Sequence, residues 1–442
     1  MRKVGGLGRL GARFRRNRRG NFGLMMAVTA PLLILASGYG LNIAQISITK
    51  SNLLAALDSA VTSTARDLTT GVITTDEARG VVEAFLMANG QRAYAEEGRL
   101  TLDELVIDKT LKTVSAKASV ELDLAFALFG TANHQTVTAE SAALYSDRKI
   151  EVAMMLDITG SMRGQRIIDL RNAARNAVDT LLANNRSGSE RVRIALVPYA
   201  DSVNTGVLSH TVYIEKNRSS STEAPALPRA QQVSATSGNT CSTEREGSAT
   251  RHTDDGPDVQ MVNQDYRLTF CSPSTLIPLT HDKNRLQTHI GNLIADPYAW
   301  TNGRVGIQWS WYLLSPKWAK VLAPQHQPSD YGQEDVSKFA ILMTDGAFNV
   351  AFDGVSDSGD FRNQESRNRQ NSEKLCEEMR NKGIRIFTIG FHLSNSAKQV
   401  MRNCATPDTG GVRHYYEASS GAELDDAFRT IARNIEGLVL TK

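Results

Sequence analysis

The stretch Lys149–Met162, KIEVAMMLDITGSM, is apolar for most of its length and then ends in an acid, hydroxyls and a glycine. A short run this apolar, closed by a glycine turn, has the signature of a buried parallel strand whose C-terminal end carries a site. Beyond the turn, Arg163–Ala183 spaces Ile167, Leu170, Ala174, Val178 and Leu181 three or four apart, which makes one apolar helical face. Acid and hydroxyls therefore fall where a strand hands over to a helix. Asp157, Thr159 and Ser161 alternate, so extended or looped backbone turns them to one side, and Gly160 permits the bend. One carboxylate with two hydroxyls is an all-oxygen set, of the kind that hard divalent ions such as Mg²⁺ take, with waters or an outside carboxylate completing the octahedron. Taken alone, so short a pattern turns up by chance in many proteins, and Asp157 with Ser161 also reads as a pair of helix caps.

Two further stretches narrow the reading. Phe339–Asn349, FAILMTDGAFN, is a second apolar run ending in an acid-glycine turn, and Trp300–Pro316 reads WTNGRVGIQWSWYLLSP. With the first stretch these resemble the von Willebrand factor A domain and its metal-ion-dependent adhesion site, which has D-x-[ST]-x-S in the first loop, Thr in the second and T-D-G in the third. The resemblance covers roughly residues 148–440. It implies an α/β fold with a doubly wound, mainly parallel sheet. It also implies that Asp157, Thr159, Ser161, Thr301 and Asp345 hold Mg²⁺, with Mn²⁺ or Ca²⁺ as substitutes, and leave one position open for an Asp or Glu of a protein partner. Thr159 stands where Ser is commoner in the family, and it keeps the hydroxyl.

Catalytic readings find little support. An aspartic protease needs two carboxylates sharing a proton from two similar loops, and Asp345-Gly346-Ala347 does not repeat Asp157-Ile158-Thr159. A phosphate-accepting aspartate wants a second acid where Thr159 stands, and no glycine-rich phosphate loop followed by Lys-Ser/Thr is present. No nucleophile or general base stands out, so the chain reads as a binding protein rather than an enzyme.

The chain has 442 residues and a net charge of +3, room for two or three domains. Its charge is unevenly spread. Arg2, Lys3, Arg9 and five more arginines between Arg13 and Arg19 precede any acid, and no charged residue then appears before Lys50. Phe22–Ile48 is long enough to cross a bilayer, which takes about 20 mostly apolar residues. Positive flanks stay cytoplasmic, which puts the remainder on the periplasmic side of an inner membrane. The apolar segment exceeds the roughly 7–15 residues of a signal peptide, so a retained single-pass anchor is the reading, with cleavage as its alternative. The basic tail is explained by topology and anionic lipid without nucleic acid. Arg18-Arg19-Gly20-Asn21-Phe22, an apolar stretch containing Pro31, then Asn42 and SNLLAALDSAVTSTA together resemble the N-terminus of TadE/TadG-like tight-adherence pilus-assembly proteins. Met25 stands where a prepilin-peptidase signature after Gly20 places Glu.

The domain plan that follows is a basic tail (1–21), a transmembrane helix (22–48), a small α+β pilin-like or spacer region (49–147) and the A-like domain (148–440). In the spacer, Leu53, Leu57, Val61 and Ala65 mark a helical face. Asp76–Met87 reads as a second helix capped by Thr74 or Thr75, and Val114, Ala116, Ala118 and Val120 alternate as a half-buried strand. Phe126–Phe129 packs either on that sheet or on the anchor helix. Within the A-like domain, residues 201–274 are rich in Ser, Thr, Asn, Gly and charge without strong periodicity, and read as a surface insertion and a candidate for partner choice. Trp309, Trp311 and Trp318 read as core, whereas Trp300 neighbours the site; His281 and His289 read as solvated surface. Glu373–Lys382, Ile384–Phe391, His414–Glu417 and Ala422–Ile435 read as helix, strand, strand and helix, with Gly383 stopping the first. Four cysteines, an even number in an exported region, favour two local disulfides, Cys241–Cys271 and Cys376–Cys404; zinc competes, although no pair has its close spacing.

The expectation is thus a membrane-anchored, metal-dependent adhesion or assembly protein of a bacterial tight-adherence pilus. A metal-assisted hydrolase of envelope polymers and a passive structural spacer are the alternatives.

Overall fold

A computed structural model describes residues 20–89, 94, 97–126, 134–145, 148–183, 185, 190–215, 240–268, 271–356 and 358–440. Residues 1–19 of the basic tail, residues 127–129 and residues 216–239 of the expected insertion lie outside these. The chain divides into two compact units, one running essentially to Tyr145 and one from Ser146 onward.

The first unit opens with a 51-residue helix, α1 (Gly20–Thr70). Its early apolar side chains, among them Phe22, Leu32, Leu33 and Ile34, are exposed, whereas Leu53, Leu57, Val61 and Ala65 are buried, so one helix changes character along its length. Among the described residues it is the one helix long and apolar enough to cross a membrane. Phe126 belongs against it: the Asn42 amide donates to the Phe126 carbonyl at 2.7 Å and accepts from its N–H at 3.2 Å, while a Cβ on Gly38 would meet the Phe126 ring at 3.0 Å. The second helix, α2 (Ala78–Asn89), starts two residues later than the sequence suggests. Thr74 donates its N–H and hydroxyl to Glu77, which satisfies both in a turn ahead of the helix. Strands β1 (Leu100–Asp108), β2 (Thr113–Asp123) and β3 (His134–Leu144) pair antiparallel in the order β1-β2-β3. Val114, Ala116, Ala118 and Val120 are buried as their alternation requires, in one apolar cluster with α1 and α2.

The second unit is built on β4 (Lys149–Asp157), flanked by β5 (Val192–Tyr199) and β11 (Val336–Thr344), the latter followed outward by β12 (Arg385–Phe391) and β13 (Tyr415–Ala418). All of these pair in parallel; only the edge strand β10 (Ile277–Thr280) runs antiparallel, on β5. The result is a mixed α/β unit with helices on both faces of the sheet. Val152, Met154 and Leu156 pack with α3 (Gln165–Leu181), α4 (Lys283–Gly291) and α8 (Gly421–Leu440). Ala153 and Met155 pack oppositely, with α5 (Gly303–Tyr312), α6 (Glu365–Asn381) and α7 (Asn395–Cys404). Successive strand residues point to opposite faces, so coverage of both is what makes β4 an unbroken apolar run.

Three expectations are corrected. The segment read as a surface insertion is largely interior where it is described: β6 (Val203–Asn204) pairs with β8 (Cys241–Ser242), β7 (Val212–Ile214) with β9 (Val262–Gln264), and Cys241 to Glu246 are buried. Arg245, fully buried, donates to the carbonyls of Asp255 and Gln260 at 2.6 and 2.9 Å and lies over the Tyr312 ring. Polar groups here pair within the segment and with Gln308 of α5, which accepts the Arg245 N–H at 2.8 Å. Helix α6 begins at Glu365 rather than Glu373, its added turns being polar and partly held by buried Asn368. His289, read as solvated surface, is half-buried against the Thr275 carbonyl at 2.7 Å, whereas His281, ahead of α4, keeps a partly exposed side chain that faces Glu190 at 3.1 Å. Trp309, Trp311 and Trp318 are core, and Gly383 ends α6 with φ of +81°. Both cysteine pairs are disulfides, with Cα separations of 5.5 and 5.0 Å.

Candidate metal centre

At the C-terminal ends of the parallel strands, three loops deliver oxygen atoms to one place. Asp157 is the last residue of β4, and its carboxylate is fully buried. Its Oδ1 accepts from the Thr159 N–H at 2.9 Å and the Thr159 hydroxyl at 2.6 Å. Its Oδ2 accepts from the Tyr199 hydroxyl at 2.9 Å, the Thr344 hydroxyl at 2.8 Å and the Asp345 N–H at 3.3 Å. The ends of β4, β5 and β11 are therefore tied together by one carboxylate. Thr159 and Ser161 stand 2.9 Å apart through their hydroxyls, and the Ser161 hydroxyl donates to Asp345 Oδ1 at 2.5 Å. A chain separation of 184 residues closes across that bond.

Thr301 comes from the loop before α5. Its hydroxyl and that of Ser161 flank Gly346, at 3.4 and 3.9 Å from where a Cβ on that glycine would stand. The loop is fixed to its neighbours by hydrogen bonds: Thr301 N–H to the side-chain Oδ1 of Asn349 at 3.0 Å, Asn349 N–H to Thr301 O at 2.9 Å, and Asn302 N–H to Ala200 O at 2.9 Å. Gly303 opens α5 directly against the Phe348 ring, which leaves no room for any side chain there. All five residues singled out from the sequence, Asp157, Thr159, Ser161, Thr301 and Asp345, thus lie in one cluster, with Ser161 exposed and the other four buried. Trp300, next to Thr301 in the chain, is 43% exposed and Tyr298 82% exposed.

The sequence reading did not single out Arg166, Tyr199, Thr344 or Asn349. Thr344 was in view as the first letter of T-D-G, and Tyr199 as the end of an apolar strand; nothing local marks Arg166. Its Nη1 donates to Asp345 Oδ2 at 2.8 Å. Burial and the nearby Asp157 charge push the Asp345 carboxyl up to about 6, against the pull of Ser161 and Arg166. Burial, then Asp157, also holds the Tyr199 hydroxyl well above its usual range, so it serves Asp157 as a donor.

The donor chemistry fits a hard divalent cation. The cluster offers two carboxylates and three hydroxyls, with no thiol or imidazole among them. A second acidic group, Glu215, Glu246 and Asp265, is buried near β7 and β9, with ligand atoms within 4.8 Å of one another. There Arg267 pairs with Asp265 at 2.7 Å and Asn263 donates to Glu215.

No family of known sequences matches the chain, and no curated protein does. Among solved structures it is similar to the pilus adhesin SpaC from Lactobacillus rhamnosus GG, at 10% identity and TM-score 0.35 over 76% of this chain and 34% of that one. It is similar to the adhesive tip pilin GBS104 from Group B Streptococcus agalactiae at 11% identity and TM-score 0.34, over 76% and 68%. The VWA domain of SpRpn10 gives 11% identity and TM-score 0.31, over 63% and 93%. The chain thus spans about a third of SpaC's length.

Proposed function

We propose that the second unit is a von Willebrand A-like domain that binds a divalent cation and, through it, a carboxylate of a protein partner. The observation that carries this reading is the convergence of Asp157, Thr159, Ser161, Thr301 and Asp345 from three loops onto one partly open cluster. Those five side chains would hold the ion, Mg²⁺ first and Mn²⁺ or Ca²⁺ as substitutes, and the ion would supply a Lewis-acidic position for an Asp or Glu. What the chain itself does is preorganise. Tyr199, Thr344 and the Asp345 N–H hold Asp157 in a single orientation, and Asn349 and Asn302 fix the Thr301 loop.

In this reading α1 is a single-pass anchor in a bacterial inner membrane, the second unit is periplasmic, and the chain serves a tight-adherence pilus, its partner being a pilus or envelope protein. The support is the segment 18–65 and the uneven charge around it, together with the exposed apolar start of α1.

Calorimetric titration of Mg²⁺ and Mn²⁺ into the full chain in detergent tests the centre. One saturable site in the wild type, lost in an Asp157→Ala, Asp345→Ala double variant, is the expected result. A folded wild type that binds neither ion overturns it.

A further inference from the structure

Arg166 sits in the first turn of α3, where no acidic residue accompanies it. A cation there faces the positive end of the helix dipole, so the position is unfavourable unless something across the chain compensates. Asp345 does. Arg166 Nη1 lies 2.8 Å from Asp345 Oδ2, and its one further contact among the described residues is a long one, 3.5 Å to the Ser161 carbonyl. The carboxylate is completely buried while the guanidinium side chain remains 39% exposed. Asp345 is thus held at one oxygen by a neutral hydroxyl and at the other by the only positive charge that pairs with the cluster among the described residues.

Resting on the reading above, we propose that Arg166 is the internal counter-ion of the centre: it neutralises Asp345 when no cation is bound, and an entering cation must displace it. The geometry allows the exchange. The side chain is tethered on the solvent side of a buried carboxylate, and it gives up one ion pair without leaving an unpaired charge in the interior, because its head is already partly in water. A divalent ion and a guanidinium on the same carboxylate repel each other, so the ion's affinity is set by the cost of moving Arg166. Once released, the guanidinium adds positive charge beside the cluster, which suits an anionic partner more than a neutral one. Arg166 is in these terms a positioning residue that acts through Asp345.

The test is Mg²⁺ titration by calorimetry of the full chain and of Arg166→Gln and Arg166→Lys variants, with unfolding midpoints measured alongside. Arg166→Gln is expected to tighten Mg²⁺ binding about tenfold, because a neutral amide competes poorly for Asp345, and Arg166→Lys to stay within about twofold of the wild type. A Kd in Arg166→Gln equal to or weaker than that of a wild type that binds Mg²⁺ overturns the counter-ion role while leaving the cation centre intact. Absence of binding in all three folded proteins overturns the centre itself, and the counter-ion role with it.

Discussion

Strands β2 and β4 are of similar length and face opposite circumstances. In β2, buried Val114, Ala116, Ala118 and Val120 alternate with residues that are exposed or half-exposed; in β4, every residue after Lys149 is buried. One sheet is covered on a single face, the other on both. The difference decides where chemistry can occur. A sheet with helices on both faces has only its strand ends left open, and parallel pairing brings all the C-terminal ends to one edge. Asp157, Tyr199 and Thr344, the last residues of three adjacent strands, meet there. The antiparallel sheet sends neighbouring ends in opposite directions and assembles no such cluster among its described residues.

The comparison breaks first at the core of β4. Met154→Asp places an unpaired charge between two covered layers and is expected to cost more than about 4 kcal/mol. Thermal unfolding followed by circular dichroism then loses the transition of the second unit while that of the first persists; an unchanged midpoint would mean that this face is not sealed.

A smaller, pH-dependent effect comes from Glu244, in the polar layer over the same sheet. Burial raises its carboxyl from 4.5 to about 7, against the attraction of Arg304, and it accepts the Phe352 N–H. Since the folded-state value is raised, the native protein holds a proton that the unfolded chain releases from about pH 4.5 upward. Stability therefore falls as pH rises through that window, and the loss is complete above pH 7. Glu244→Gln, which keeps the acceptor, is expected to gain on the order of 2 kcal/mol over the wild type at pH 8 and little at pH 4. Equal shifts at both values would refute the assignment.

Smallest is the exposed face of β2. Lys117 lies opposite Glu140 in register and faces solvent, so Lys117→Ala is expected to change stability by less than about 0.5 kcal/mol. A loss comparable to that of Met154→Asp would show that this face is covered too, and would erase the contrast between the sheets.

Much of this was legible beforehand. The period-2 pattern of β2, the unbroken run of β4, the apolar stripes of α3 and α8 and the break at Gly383 all express local geometry, and local geometry leaves a periodic trace in sequence. Asp157, Thr159, Ser161 and Asp345 stand out in the sequence because they lie at or just past an abrupt change from apolar strand to polar loop, whereas Thr301, in the loop before α5, is carried by the resemblance alone. The segment from Cys241 to Gln264 was misread for the opposite reason. Its burial depends on Arg245 finding the carbonyls of Asp255 and Gln260 and the Tyr312 ring, and on Gln308 of α5 accepting the Arg245 N–H at 2.8 Å. A polar interior satisfied by distant partners has no period.

By itself, the sequence determined the strand and helix types, the order of the loops and the kinds of oxygen at the strand ends, since these follow from backbone periodicity and side-chain chemistry over a few residues. Only the tertiary structure decided which groups face those oxygens: Arg166 against Asp345 across 179 residues, Tyr199 against Asp157 across 42, and Phe126 against the long helix across 84. Such pairings are set by how sheets and helices stack, and electrostatic and hydrogen-bonding partners are fixed by distance in space, which separation along the chain does not record.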